Sequence, residues 1–128
     1  MHRILLLMLL AMVPSMAPRP VLAAGEQAAR PPAGRYALHA EACKANDIFM
    51  TLGADKLDLP VFSCTGLDFR PAGSGPGDRA IWDVTGKRCQ GEESAAGPQR
   101  FRIEASGTTL RIHWKDGSKS APLARCGR

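Results

Sequence analysis

The four cysteines, Cys43, Cys64, Cys89 and Cys126, carry the most definite chemistry in this sequence. Neighbouring cysteines are at least 21 residues apart. The sequence therefore lacks the close C-x2-C pairs of zinc sites and of thioredoxin-like redox sites. An even number of cysteines in a small chain instead predicts a disulfide framework, provided that the chain is exported, as its N-terminal segment indicates below. We expect all four to form disulfides, and we expect no metal site and no cofactor.

Sequence order favours one of the three pairings that four cysteines allow. Cys43 and Cys64 flank a predicted strand over 47–52 and the turn that follows it, so a short meander would bring them together. Cys89 ends another predicted strand, and Cys126 lies near the C-terminal end of the sequence. The segment that follows Cys89 can fold back so that Cys126 lies next to Cys89. We therefore predict the disulfides Cys43–Cys64 and Cys89–Cys126.

The other candidate catalytic residues lack the neighbouring side chains that catalysis would require. Gly73-Ser74-Gly75 covers part of a G-x-S-x-G nucleophile motif, but no histidine or acid stands at motif spacing. The same loop lacks the Lys-Ser/Thr of a phosphate-binding loop. Two acidic pairs, Glu92-Glu93 and Asp55 with Asp58, stand beside turn residues and are interpreted as solvated charge. The sequence therefore predicts a protein that is not an enzyme.

One surface is the best candidate for binding. Arg102, Arg111, His113 and Lys115 alternate with apolar residues on two neighbouring segments. They point the same way if those segments form a β-hairpin. Like charges that face each other across strands are destabilising, so such a cluster indicates an anionic partner. The alternative is that Glu104 and water neutralise the cluster.

The N-terminal segment has the composition of a secretory signal peptide. A basic start, Met1-His2-Arg3, precedes ten apolar residues at positions 4–13. That run is too short for a helix to span about 30 Å of hydrocarbon. Val21 and Ala23 place small residues where signal peptidases read them. We predict cleavage after Ala23, with cleavage one residue later as the alternative.

The chain therefore divides into three parts. Residues 1–23 are the predicted signal peptide, residues 24–34 are predicted to be a disordered lead-in, and residues 35–128 form a single domain. The mature chain has 15 basic and 12 acidic side chains in dispersed positions, which argues against nucleic-acid binding. Twelve Arg against five Lys, with 19 Ala, is typical of GC-rich bacterial genomes. We therefore expect a bacterial protein of the periplasm, or a secreted one, that does not span the membrane once processed.

The domain has the pattern of an all-β fold. Residues 100–104 and 110–115 alternate strictly between polar and apolar side chains, and turn signals such as Asp116-Gly117 recur along the chain. Two loops are predicted over 70–79 and 91–99. These features predict about six to eight antiparallel strands in a small barrel or sandwich with two disulfides. The predicted core residues are Ile48, Met50, Leu52, Phe62, Trp82, Val84, Phe101, Ile103, Leu110, Ile112 and Trp114.

The order of the motifs resembles that of a group of small exported bacterial proteins, mostly uncharacterised, with four cysteines and an all-β domain. The matching pieces are Gly34-Arg35-Tyr36, Cys43, Asp47-Ile48-Phe49-Met50, Phe62-Ser63-Cys64, Cys89-Gln90-Gly91-Glu92, Leu110-Arg111-Ile112 and Ala124-Arg125-Cys126. The resemblance implies an exported β domain and carries no catalytic motif. In size and fold class the chain is also similar to periplasmic inhibitors of proteases and lysozymes.

These features predict a non-catalytic binding or structural module in the periplasm. The alternative is an inhibitor of a periplasmic or secreted hydrolase, a protease or a lysozyme. The 70–79 loop and the 24–34 lead-in are the segments that could then enter a target cleft. The partner is left open between a protein and an anionic component of the cell envelope.

Overall fold

Eight antiparallel strands close into a barrel in the computed structural model of the protein, which describes residues 28–91 and 96–127. The strands are β1 (Gly34–Ala37), β2 (Met50–Leu52), β3 (Lys56–Leu59), β4 (Phe62–Ser74), β5 (Ala80–Gly91), β6 (Gly97–Ser106), β7 (Thr109–Trp114) and β8 (Leu123–Cys126). A short helix, α1 (Ala40–Lys44), connects β1 to β2. The predicted signal peptide, residues 1–23, lies outside the described residues.

The strands follow a simple up-and-down order. Each strand pairs with the next along the chain, and β8 pairs with β1 to close the barrel. Closure protects the backbone groups that an open sheet would expose at its edges. The prediction of a small antiparallel β domain with two disulfides is confirmed, and the architecture is a barrel of eight strands.

Apolar residues that the alternation identifies fill the barrel interior. The buried members of the predicted core are Met50, Leu52, Trp82, Val84, Phe101, Ile103, Leu110 and Ile112. Phe62 and Trp114 are half-buried and pack against this core. Ile48 packs instead in a separate cluster with Ala37 and Ala42, because α1 covers that side of β1.

The long hairpin of β4 and β5 departs from regular alternation at one level. Cys64 and Leu67 are both buried although they are three residues apart. Gly66 lies between them with φ at 69°, a left-handed conformation that glycine adopts without strain. On β5, Gly86 and Cys89 are also buried three residues apart. Because both strands shift at the same level, their pairing register is preserved on either side.

Two predicted loops are shorter than expected. The 70–79 loop is strand as far as Ser74, and a one-residue slip in the pairing lies between Pro71 and Gly73. A β-bulge accommodates proline and glycine within a strand, which the sequence pattern alone reads as loop. The 91–99 loop shortens in the same way, since β6 begins at Gly97.

The described part of the predicted lead-in, residues 28–34, contacts the barrel. The indole nitrogen of Trp82 donates a hydrogen bond of 2.9 Å to the carbonyl oxygen of Ala28. The Tyr36 hydroxyl donates one of 2.5 Å to the carbonyl oxygen of Pro32. These contacts carry the segment across the end of the barrel at which β1 begins. Burial of the Tyr36 side chain raises the pKa of its hydroxyl, against a smaller lowering effect of a neighbouring arginine.

Candidate functional site

The four residues of the predicted cationic face lie on β6 and β7 or directly after them. Arg102 stands opposite His113 across the two strands, and Arg111 stands opposite Glu104. Lys115 follows the last residue of β7. Their apolar neighbours fill the interior, so these side chains share the outer surface of the barrel wall, as the alternation predicts.

Acidic side chains interrupt this face. The Arg102 guanidinium pairs with the carboxylate of Asp83 at 2.7 Å, because β5 places Asp83 directly opposite Arg102. One carboxylate oxygen of Glu104 lies 3.0 Å from the His113 ring, and the other lies 3.4 Å from Arg79. The cluster is therefore not purely cationic: Glu104 contacts His113, as the alternative interpretation expects, and Asp83 pairs with Arg102. The outer face is a network of mixed charge.

The network continues onto β4 as a row of three charged residues and a histidine. Arg70, Asp83, Arg102 and His113 stand opposite one another across four strands. Exposed ion pairs contribute on the order of 0–1 kcal/mol each, so this row adds little to stability. A cleft of about 990 Å³ lies over the same surface.

The aromatic end of the barrel is the end at which Phe62, Phe101 and Trp114 pack together. The ring centroids of Phe62 and Trp114 are 5.2 Å apart at 81°, an edge-to-face contact. Phe101 lies 5.7 Å from Trp114 and 6.3 Å from Phe62. Phe62 begins β4 and Trp114 ends β7, so barrel closure brings together residues that are far apart in the chain.

A second cleft, of about 560 Å³, opens at the aromatic end. Its lining includes the aromatic rings together with Val61, Gly91, Gln99, Arg100, Lys115, Asp116 and Ser118. Arg100 and Lys115 also line the larger cleft on the outer face. Both cations therefore stand where the charged face meets the aromatic rings.

Arg100 and Lys115 are the two cations that line the cleft at the aromatic end. Within residues 28–91 and 96–127, neither side chain takes part in an ion pair or a hydrogen bond. Asp116, which follows Lys115 in the chain, uses one carboxylate oxygen to accept hydrogen bonds from the backbone nitrogen and hydroxyl of Ser118, at 2.8 and 2.6 Å. These bonds lower the pKa of Asp116. The Asp116 carboxylate is thus held by Ser118 in the same turn.

Sequence reasoning includes Lys115 in the candidate site but misses Arg100 and the exposure of the aromatic rings. Phe62 and Trp114 are predicted as core, and each is only half-buried. One sequence feature could have indicated that the Trp114 ring is only half-buried: Trp114 comes directly before Lys115 and the Asp116-Gly117 turn, at the end of its strand. A large apolar residue at the last position of a strand is the one least covered by the next layer of the core.

The remaining residues with catalytic side chains have structural surroundings. His39 caps α1, with its Nδ1 accepting a hydrogen bond of 3.3 Å from the Ala42 nitrogen. Asp58 pairs with Lys56 at 3.3 Å. Ser74 is the last residue of β4, and the Glu92-Glu93 pair lies outside the described residues. In the part of the chain that the structure describes, no three His, Cys, Asp or Glu side chains group as metal ligands would.

The disulfides join Cys43 to Cys126 and Cys64 to Cys89, so the predicted pairing is wrong. Closure of the barrel places β8 beside β1, and α1 follows β1, which brings Cys43 next to Cys126. The register of β4 and β5 places Cys64 directly opposite Cys89. Two disulfides are consistent with an oxidising compartment, outside the cell or in the periplasm.

In comparisons with known proteins, no family model, no curated protein sequence and no solved structure matches this chain. Among the described residues no helix is both long and apolar enough to cross a membrane.

Proposed function

We propose that this protein is an exported, non-catalytic binding module of the bacterial periplasm. The observation that carries the proposal is a pair of cations, Arg100 and Lys115, beside half-buried aromatic rings. Neither cation has a carboxylate partner among residues 28–91 and 96–127. Such a surface offers charge and apolar area to the same ligand. On the outer face, by contrast, Arg79 and Arg102 pair with carboxylates.

Export is supported from two sides. The segment over residues 1–23 has the basic start, apolar run and small residues of a secretory signal peptide. The four cysteines form two disulfides, which persist in oxidising compartments. The resemblance of the motif order to small exported bacterial proteins points the same way.

The alternative function, inhibition of a protease or a lysozyme, has less support. An inhibitor of this kind needs a free segment that enters the cleft of its target. The 70–79 segment is strand as far as Ser74, and Ala28 and Pro32 accept hydrogen bonds from barrel side chains. Within residues 28–34 and 70–79, neither candidate segment forms a long free loop, which favours binding at the aromatic end.

The test uses full-length protein produced in a Gram-negative host and recovered from its periplasm. Mass spectrometry should give a mature N-terminus at Ala24, and retention of Met1 would contradict export. Periplasmic extract is separated by size into a small-molecule fraction and a macromolecular fraction. Thermal unfolding of the recovered protein is then measured with each fraction added. A ligand that binds only the folded state raises Tm by mass action, so at least one fraction should do so.

Two results would contradict the proposal. One is an unchanged Tm in every fraction, including extracts from the organism that encodes the protein. The other is inhibition of a protease or lysozyme from a panel of such enzymes, because that outcome supports the alternative.

A further inference from the structure

We propose that the aromatic end binds a small organic anion that carries a planar apolar group, such as an aromatic carboxylate. This inference deepens the proposed function by naming its ligand class, and it rests on that function. It follows from the juxtaposition of Arg100 and Lys115 with the rings of Phe62 and Trp114.

The size of the cleft favours a small molecule over a macromolecule. A volume of about 560 Å³ lies within the range of about 300–1,000 Å³ that is usual for small-molecule sites. The rings of Phe62 and Trp114 stand nearly at right angles, so a planar group can lie against the face of one and the edge of the other. Val61, which is 57% exposed, extends the apolar wall beyond the rings.

The charge of the cleft favours an anion. The Arg100 guanidinium presents paired N–H donors that match a carboxylate, and the Lys115 ammonium adds a second positive charge. Neither cation is occupied by another described residue. The acid that lines the same cleft, Asp116, accepts two hydrogen bonds from Ser118 and forms no ion pair with either cation. The cleft thus keeps two available cations beside its apolar wall.

A planar apolar group explains why the cations and the rings share one cleft. A cationic surface alone would bind any anion weakly and would lose that binding as salt screens the charges. Rings alone would bind neutral molecules equally well. The cations and the rings together favour a ligand that has both a negative charge and a planar apolar group. A few polar groups confer specificity on an apolar site in this way.

The test is a calorimetric titration of the intact mature protein with three probes. The probes are 2-naphthoate, its neutral analogue 2-naphthalenemethanol, and acetate, which has the charge without the ring. We expect 2-naphthoate to bind most tightly. The R100Q/K115Q variant should weaken its binding by at least about tenfold, since hydrogen bonds to charged groups are lost. Binding of the neutral analogue should change little.

A matched control removes the same amount of charge elsewhere. The R30Q/K44Q variant also loses two cations, in the segment before β1 and on α1, and it should bind 2-naphthoate like the unmodified protein. Trp114→Leu should weaken both naphthalene probes and leave the weak effect of acetate unchanged. Far-ultraviolet circular dichroism checks that each variant is folded.

Three outcomes would overturn the inference. These are no binding of 2-naphthoate, equal weakening by the two double variants, and equal affinity for the charged and neutral naphthalenes. If 2-naphthoate fails while a periplasmic fraction still raises Tm, the ligand class is wrong and the binding module stands. If the extract also fails, the proposed function is wrong as well. Stabilisation by the macromolecular fraction alone would likewise replace the small ligand by a protein or glycan partner.

Discussion

Gly86 provides a sharp test of how the barrel wall is packed. It lies on β5 next to the Cys64–Cys89 disulfide, and a Cβ atom at this position would lie 2.5 Å from the Cys89 sulfur and 2.9 Å from the Cys64 sulfur. Its backbone is not in the left-handed region. A Gly86→Ala substitution therefore tests steric packing and not backbone strain.

The expected cost of Gly86→Ala follows from these distances. Ordinary contacts between non-bonded carbon atoms are about 3.5–4.0 Å, and sulfur is larger, so the new methyl group overlaps the disulfide by about 1 Å. The disulfide joins two paired strands and has little freedom to move. Overpacking of a closed core costs about 1–3 kcal/mol, and we expect the free energy of unfolding to fall by that amount. Urea denaturation followed by circular dichroism measures it.

Two comparisons isolate the cause. Gly53→Ala is the matched control, because its added Cβ would meet only the Lys56 carbonyl oxygen, at 3.7 Å. It should change the free energy of unfolding by no more than about 0.5 kcal/mol. In a background in which Cys64 and Cys89 are both alanine, Gly86→Ala should cost less by about 1 kcal/mol or more. An equal cost in both backgrounds, or no cost in either, would refute the packing argument.

Three further predictions concern stability. Burial raises the pKa of Tyr36 above its ordinary value of 10.0, so the folded state keeps this proton longer than the unfolded chain does. The free energy of unfolding should then fall as pH rises above about 10, and Tyr36→Phe should remove that part of the fall. Chain entropy gives about 4.5 kcal/mol for the disulfide lost in Cys43→Ser and about 3.5 kcal/mol for that lost in Cys64→Ser; urea denaturation should rank them in this order, and the reverse order would contradict it. Arg102→Gln removes an exposed ion pair and should cost only a few tenths of a kcal/mol in the same assay, so a loss above about 1 kcal/mol would contradict that weak role.

The fold class could be predicted because it depends on local pattern. Alternation over 100–104 and 110–115 identifies β6, β7 and their buried residues, since a strand buries every second side chain. The number of strands follows from the spacing of turn signals. The choice of a barrel over a sandwich requires the pairing of β8 with β1, which no local pattern encodes.

The disulfide pairing and the ion pair between Arg102 and Asp83 could not be predicted, because both depend on register and closure. Pairing cysteines that are neighbours in sequence ignores the contact between the two ends of the domain, which places Cys126 beside Cys43. Similarly, Asp83 neutralises Arg102 only through the register of β5 and β6. The two residues are 19 positions apart. Part of the site, Lys115, could be predicted from alternation alone.

The location of ligand binding is the central claim, and the two tryptophans allow it to be measured directly. The chain contains Trp82 and Trp114 alone, so a proton–nitrogen correlation spectrum should show two indole N–H signals, assigned with the W114F variant. Trp114 lines the cleft at the aromatic end, whereas the Trp82 indole donates to Ala28 and is buried. Titration with 2-naphthoate should shift the Trp114 signal and leave the Trp82 signal in place. A shift of the Trp82 signal alone, or no shift of either, would contradict binding at the aromatic end.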